Sequence, residues 1–314
     1  MSDVRSWCGR LLPSPNYIYF DAVARHGSIR KAAQSLHIAS SALNRRMLDL
    51  EQEIGSPLFE RLPRGVRLTA AGELLLNHVR NAMHEWRKLE GQLAQLRGQT
   101  RGTVRVAVAE SVTPSLLPNA ITTYGREHSG VSFQVKVDGP ENLAQALLDD
   151  HVDLILTHER PDKPGISVLA ETAHPLCAFM DPSHPLAACS SVQLSDCVPY
   201  PWALPDHSLA ARALLDVALE HASLSVAPTL ESNSIETLKS FARHSEAICF
   251  SFHVGSEAEA RGLVPVPLLD RLFRKARLYL AARRGRVLPV VAASFAEQLK
   301  EVMATSAVQF VSHK

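Results

Sequence analysis

Between Ser28 and Ile54 the chain reads SIRKAAQSLHIASSALNRRMLDLEQEI, a stretch that few folds accommodate. Apolar side chains at Ile29, Ala32, Ala33 and Leu36 follow the i, i+3, i+4, i+7 spacing of a helix that buries one face. Gly27 can close a preceding helix, and Ser28 can cap this one. After His37-Ile38-Ala39 a second stripe runs through Leu43, Met47, Leu50 and Ile54, within an arc of roughly 60° on a helix. Ser41, Asn44, Arg45 and Gln52 occupy the opposite face. Two short helices, the second showing small polar and Arg side chains to solvent, are what a helix-turn-helix requires. Its second helix enters the DNA major groove and offers donors to base edges.

Any two amphipathic helices joined by a short turn look like this in isolation, so the flanking residues decide. From Leu58 the chain reads LFERLPRGVRLT, two short alternating runs around Pro63-Arg64-Gly65, which is a hairpin signal. Arg61, Arg64 and Arg67 sit on it, so a basic wing lies within reach of phosphates or a minor groove. Upstream, PNYIYFDAVAR forms a first helix over 15–25, with Ile18, Phe20, Val23 and Ala24 as its core face.

The head resembles the LysR-type transcriptional regulators. The resemblance rests on Phe20-Asp21-Ala22-Val23-Ala24, His26-Gly27-Ser28, Lys31-Ala32-Ala33, Leu36, Ser41-Ala42-Leu43, Arg45, Leu50-Glu51, Leu58-Phe59-Glu60-Arg61 and Leu68-Thr69-Ala70-Ala71-Gly72. Two positions depart from the family pattern. Ser40 stands where Gln usually opens the recognition helix, and Asn44 where Ser is usual, so a different base preference is expected on the same fold.

Charge supports a split role. Up to Arg101 there are 15 Lys+Arg against 9 Asp+Glu, a net +6; beyond it 18 stand against 23, a net −5. A basic head on an acidic body suits a polyanion partner for the head alone. No run of 18 apolar residues occurs, which argues against a membrane span. Residues 1–14 read as a flexible leader without the apolar core of a signal peptide. The five cysteines (8, 177, 189, 197, 249) form no CxxC pair, so reduced thiols of a cytoplasmic protein are expected. Cys197 and Cys249 are the candidates for a sensing role.

From Thr69 a single helix is expected to run to about Arg97. Leu75, Val79, Ala82, Trp86, Leu89, Leu93 and Leu96 are spaced 4, 3, 4, 3, 4, 3, the repeat of a coiled-coil seam. A helix of that length, about 42 Å, does not bury its seam alone and is expected to pair with a second copy. The polar GQTRG at 98–102 marks a domain boundary.

Beyond it, strand-like and helical runs alternate: TVRVAVAE, a helix over 114–128, VSFQVKVDG, a helix over 140–151 and DLILTHE. PLCAFM, YPWALP, a helix over 208–221, SVAPTL, a helix over 234–244, AICFSF, ARLYLAA and a last helix over 289–305 follow. The pattern predicts βαβ units on a mostly parallel sheet, an α/β domain.

This half resembles the two-lobed effector-binding domain of the same family, related to type 2 periplasmic binding proteins, through SVTPSLLP at 111–118, Gly139, Asp153-Leu154, His184-Pro185-Leu186-Ala187 and residues 231–250. The implied organisation is a winged helix-turn-helix over 15–68, a linker and dimerisation helix over 69–98, lobe I over 102–173 and 282–306, and lobe II over 174–281. His244 and Glu246 replace glycines usual in the family, which alters a turn beside the cleft.

In open α/β sheets ligands bind beyond the carboxyl ends of strands, where helix N-termini present free N–H groups. Ser111 and Thr113, Gly139-Pro140-Glu141, Leu204-Pro205-Asp206, and Asn233-Ser234 meet that description and would suit a carboxylate-bearing metabolite. The candidate effector positions are Ser111, Thr113, Pro140, Thr157, Leu204, Asn233 and Phe250, with Phe252 a further cleft candidate. Pro140 stands where many relatives carry a contacting hydroxyl, and Glu141 beside it disfavours an anion. His158 is expected to be an ordinary surface histidine.

No GxSxG, P-loop, HExxH or dinucleotide fingerprint occurs, and no metal site or cofactor is expected. His244, Cys249 and His253 straddle a helix-to-strand turn that separates them. The sequence therefore predicts a cytoplasmic, non-enzymatic DNA-binding regulator that senses a small molecule. Ser40, Ser41, Asn44 and Arg45 face bases; Ser28, Arg61 and Arg64 hold phosphates. The resemblance implies a homodimer or homotetramer on double-stranded DNA, with RNA polymerase as a further partner. The alternatives are an architectural DNA binder that needs no effector and an enzyme fused to a DNA-binding head.

Overall fold

A computed structural model describes residues 14–97, 100–253, 260 and 262–312. The expected leader up to residue 13, and Gly98-Gln99 of the expected boundary, lie outside the described residues. The chain divides into two compact units, one ending at Leu93 and the other beginning at Ala94.

In the first unit α1 (Pro15–His26) is capped by Ser14, whose side chain accepts the Asn16 N–H. It stops at Gly27, in the left-handed region at φ 58°. Ser28 then caps α2 (Ile29–Ser35), and α3 (Ser40–Ile54) ends at Gly55 with φ 75°. Strands β1 (Phe59–Leu62) and β2 (Gly65–Leu68) form the antiparallel wing, Phe59 opposite Leu68 and Leu62 opposite Gly65.

Two contacts fix the wing. The Glu51 carboxylate at the end of α3 accepts the N–H groups of Leu58 (2.8 Å) and Phe59 (3.0 Å). The Val66 N–H donates to the Gly27 carbonyl at 2.9 Å. Gly65 has to be glycine, since its φ is 143° and a Cβ there would lie 2.2 Å from the Gly27 oxygen.

Phe20, Val23, Ala32, Ala33, Leu43, Met47, Leu50 and Leu58 form the core of this unit. Ile54, expected on the same stripe as Leu43, is 46% exposed because α3 ends beside it. The long α4 (Ala70–Leu96) is capped by Thr69, whose hydroxyl accepts the Gly72 N–H at 3.0 Å and donates to the Pro57 carbonyl at 2.7 Å. Its first turns pack into the head, and Leu76 and Val79 join the core. This corrects the expected seam: Val79 is fully buried in its own unit and cannot face a second copy, and Leu75 packs against the same core. Further along α4, Leu89 (39%), Leu93 (43%) and Leu96 (84%) are exposed.

The second unit holds two five-stranded sheets, one in each lobe. Lobe I is built from β3 (Arg101–Val108), α5 (Leu116–Glu127), β4 (Gly130–Val137), α6 (Pro140–Leu148), β5 (Leu154–Thr157) and β6 (Ile166–Ala173). Lobe II adds β7 (Leu176–Met180), α7 (Leu194–Cys197), β8 (Trp202–Pro205), α8 (Ala210–His221), β9 (Leu230–Ser232), α9 (Ile235–Arg243), β10 (Ile248–Phe252), β11 (Val264–Pro267) and α10 (Arg271–Arg274). The chain returns to lobe I with β12 (Arg277–Arg283), followed by α11 (Val290–Ser312). The sheets are ordered β4-β3-β5-β12-β6 in lobe I and β11-β7-β10-β8-β9 in lobe II.

Each sheet has two parallel and two antiparallel pairings, so the expectation of mostly parallel sheets is only half right. The strands joined through α5, α6, α8 and α9 run parallel, as crossover connections require. β12 arrives from the other lobe and is free to pair antiparallel with β5 and β6. The lobe border expected at 281/282 therefore falls inside β12; the chain crosses at His174 and returns at Ala276, where the His174 N–H donates to the Ala276 carbonyl at 3.0 Å. β6 and β11 were not anticipated, and SVAPTL is strand only at its last residue. Pro228 cannot donate to a ladder, and β9 starts after it.

Val104, Val106, Val108, Leu154, Leu156, Phe295 and Leu299 fill lobe I. Trp202, Ile248, Phe250, Leu215 and Phe273 fill lobe II. These cores hold the carboxyl ends of β3, β5 and β10 at the line where the lobes meet.

Candidate functional site

On the head, Ser40, Ser41 and Arg45 are exposed along α3, opposite the buried Leu43, Met47 and Leu50. Arg46 turns back over the Tyr19 ring, 5.1 Å from its centroid, which leaves Arg45 as the outward cation of the pair. Asn44 is half-buried, and its side-chain oxygen accepts Arg61 Nη2 of the wing at 3.1 Å. Helix and wing thus present one polar surface, with Arg64 exposed at the hairpin tip. Arg67 is held by Glu60 at 2.6 Å. The Ser28 hydroxyl, expected to hold a phosphate, accepts the Lys31 N–H at 3.4 Å as a helix cap.

Between the lobes lies a small recess of about 30 Å³. Lobe I contributes Glu110, Ser111, Asp138, Gly139, Pro140, Thr157 and His158; lobe II contributes Leu209, Ile235, Ser251 and Phe252 among others. Three expected positions, Ser111, Pro140 and Thr157, line it. Thr113 and Asn233 are not among the lining residues; the Thr113 hydroxyl donates to the Glu110 carbonyl at 2.7 Å, and Asn233 faces solvent.

Leu204 and Phe250 correct the expectation outright. Both are buried in the core of lobe II, Phe250 with its ring centroid 4.7 Å from that of Trp202. Cleft residues lie past the carboxyl ends of strands, and in β10 that place belongs to Phe252, two residues beyond Phe250.

Glu110, directly after β3, was not anticipated. Its carboxylate crosses to lobe II, where it accepts the N–H of Ile235 at 2.8 Å, the N–H of Glu236 at 3.1 Å and the Ser234 hydroxyl at 3.3 Å. It thereby sits on the N-terminus of α9. Nearby, Gly139 approaches lobe II so closely that a Cβ there would lie 2.1 Å from the Ser208 carbonyl oxygen.

His158 is buried, not a surface residue. Its Nε2 lies 2.9 Å from Nδ1 of His174, at the crossover between lobes. Burial, and then the neighbouring His174, hold its pKa well below the usual histidine range, so the ring is neutral at physiological pH. His158 Nδ1 and Ser111 Oγ are both buried without a hydrogen-bond partner, on residues 8% and 7% exposed. Buried polar atoms normally have partners, and both of these residues line the recess.

Burial pushes the thiols of Cys197 and Cys249 up to about 12. A thiol protonated at neutral pH is not the thiolate that redox sensing needs. Among the described residues no group of three or more His, Cys, Asp or Glu is arranged to hold a metal. No helix of the described residues is long and apolar enough to cross a membrane.

A winged head joined to a two-lobed ligand-binding unit defines a one-component regulator, with a nucleic-acid reader and a sensor in one chain. The family model for the LysR substrate binding domain matches residues 97–304, and that for the bacterial regulatory helix-turn-helix of the lysR family matches residues 16–73. The chain belongs to the LysR family of bacterial transcriptional regulators. It is 30% identical over 280 residues to the RuBisCO operon transcriptional regulator of Allochromatium vinosum, spanning 88% of this chain and 92% of that protein. It is also 30% identical to the SDS degradation transcriptional activation protein of a Pseudomonas strain, spanning 86% and 90%. Among solved structures, full-length CbnR complexed with its target DNA superposes with a TM-score of 0.61 at 19% identity, covering 91% of this chain and 98% of that one.

Proposed function

We propose that this LysR-family regulator acts in the cytoplasm as a homodimer or homotetramer on double-stranded DNA, and not as an enzyme. Ser40, Ser41, Asn44 and Arg45 face base edges, and Arg61 and Arg64 hold phosphates. A small molecule between the lobes shifts their closure and so the spacing of the paired heads, with RNA polymerase a further partner during activation. No cofactor beyond that effector takes part. The observation that carries the sensor reading is the pair of buried, unpartnered polar atoms, Ser111 Oγ and His158 Nδ1, on a recess between two separately packed lobes. A ligand drives such a change only through different affinities for the open and closed arrangements.

One observation favours the alternative, an architectural DNA binder that needs no effector: the chain's own Glu110 joins the lobes. Selection of bound sequences from random DNA by the full chain tests the regulator reading. Enrichment of an inverted repeat is expected, and recovery of unenriched sequence would refute it. Repeating the selection with a metabolite panel separates the two readings, since the architectural binder's affinity responds to none.

A further inference from the structure

The cleft carries its own anion. Of the four helix-start positions that the sequence marks for a ligand carboxylate, the start of α9 already holds one from the chain, and those of α6 and α8 have one close beside them. Glu110 takes two N–H groups and a hydroxyl at the start of α9. Asp138 takes the Gly139 N–H at 2.9 Å and the Asn142 side-chain amide at 2.7 Å beside the start of α6, whose first residue, Pro140, has no N–H to offer. Asp206 takes the N–H and hydroxyl of Ser208 at 2.9 and 2.6 Å in the turn before α8.

Nor is there a cation to receive a second carboxylate. No lysine or arginine stands among the described residues lining the recess, whereas Glu110 and Asp138 both do. His158 is kept neutral by its burial. In the groove adjoining Pro140, Lys163 is paired with Glu141 at 2.5 Å, and Arg160 with Asp162 at 3.0 Å and Glu171 at 3.6 Å. Across the cleft Arg212 is held by Asp216 at 2.7 Å and Glu231 at 2.8 Å. An incoming carboxylate would lose its hydration, meet two like charges and find the helix start on α9 already filled.

What remains open is polar but uncharged: a hydroxyl at Ser111, a neutral imidazole nitrogen at His158, and apolar walls at Pro140, Leu209 and Phe252. We propose that Glu110 is a built-in substitute for an effector's carboxylate, and that the cleft takes an uncharged, hydrogen-bonding small molecule and rejects carboxylates. This rests on the sensor reading and names the ligand class for the same site.

The test uses the full chain and thermal melting at fixed pH and ionic strength. Wild type is expected to melt at the same temperature in chloride and in acetate, benzoate or succinate. Glu110→Ala removes the equivalent of one acetate from the start of α9, so it is expected to melt lower in chloride. It should then recover saturably as acetate replaces chloride, regaining at least half the lost interval. Saturable stabilisation of wild type by any of the three carboxylates overturns the proposal, and so does a Glu110→Ala chain indifferent to acetate. The wild-type arm needs no variant, so the proposal stays exposed to refutation if Glu110→Ala does not fold. A wild-type chain that takes benzoate yet still selects an operator overturns the built-in carboxylate and leaves the regulator reading standing.

Discussion

The imidazole of His158 lies flat on the phenyl ring of Phe252, the centroids 3.6 Å apart and the planes 4° from parallel. One ring directly follows β5 of lobe I and the other ends β10 of lobe II, so their contact spans the junction. Lobe closure thereby depends on His158 staying neutral, because protonation would charge a buried ring beside His174.

That dependence predicts an acid limit. In the unfolded chain His158 takes up a proton near the ordinary histidine value of about 6.5, while in the folded chain burial and His174 hold its pKa well below that. The unfolded state therefore binds more protons, and stability is lost as pH falls below about 6.5, by at most about 1.4 kcal/mol per pH unit for each proton excluded. Urea unfolding between pH 7.5 and 5.5 should show a shallower loss for His158→Gln than for wild type. Equal slopes would remove His158 from the account.

Closure also rests on Gly139, whose missing side chain lets it meet the Ser208 carbonyl. A methyl there would sit 2.1 Å from that oxygen, far inside contact distance. Backbone strain plays no part, since Gly139 has φ −77°, which any residue adopts. Gly139→Ala is expected to cost about 1–3 kcal/mol, as overpacking does. Gly125→Ala in α5 is the control, because a Cβ there meets nothing within 4 Å. It should gain about 0.5–1 kcal/mol from helix propensity alone. Denaturation midpoints that move together for the two variants would contradict this.

How much of this was readable in the sequence follows from how local each feature is. Leu43, Met47 and Leu50 were legible because a helix burying one face repeats its apolar side chains, and Ile54 misled only because α3 ends at Gly55. The wing was legible from Pro63-Arg64-Gly65. Strand β6 escaped because ISVLAETA is buried mainly at its ends, Ile166 and Thr172, with no alternation to mark it. Phe250 and Phe252 share one face of β10, and only the end of the strand, set by lobe packing, decides which reaches the cleft. Glu110 was not legible at all, since its partners lie about 125 residues away in the other lobe. Val79 was misassigned because one helix face serves two purposes, core near the head and open seam further along.

That division of α4 separates two kinds of variant. Leu89 and Leu93 are exposed and lie outside the head core, so Leu89→Glu is expected to abolish self-association while the melting of the head is retained. Val79→Ala opens a cavity in that core and should cost about 1–3 kcal/mol while the chain still associates. Light scattering paired with denaturation reads both; an intact oligomer for Leu89→Glu would place self-association elsewhere.

The head offers the sharpest contrast between cations. Arg45 projects from the exposed face of α3, the face that a helix-turn-helix lays against base edges, whereas Arg64 sits at the wing tip, where phosphates are reached. Arg61 is different again, because its bond to Asn44 fixes the wing to the reading helix. Arg45→Ala should therefore lose about 1–3 kcal/mol on the selected operator and little on random DNA. Arg64→Ala should weaken both alike and lower the salt slope by about one unit. Arg61→Ala should do both in part, since it removes a phosphate contact and frees Asn44 to turn. Titrations of the three variants on operator and random duplexes at several salt concentrations distinguish these patterns. If Arg45→Ala reduced operator and random binding by the same factor, α3 would be gripping the backbone instead of reading the sequence.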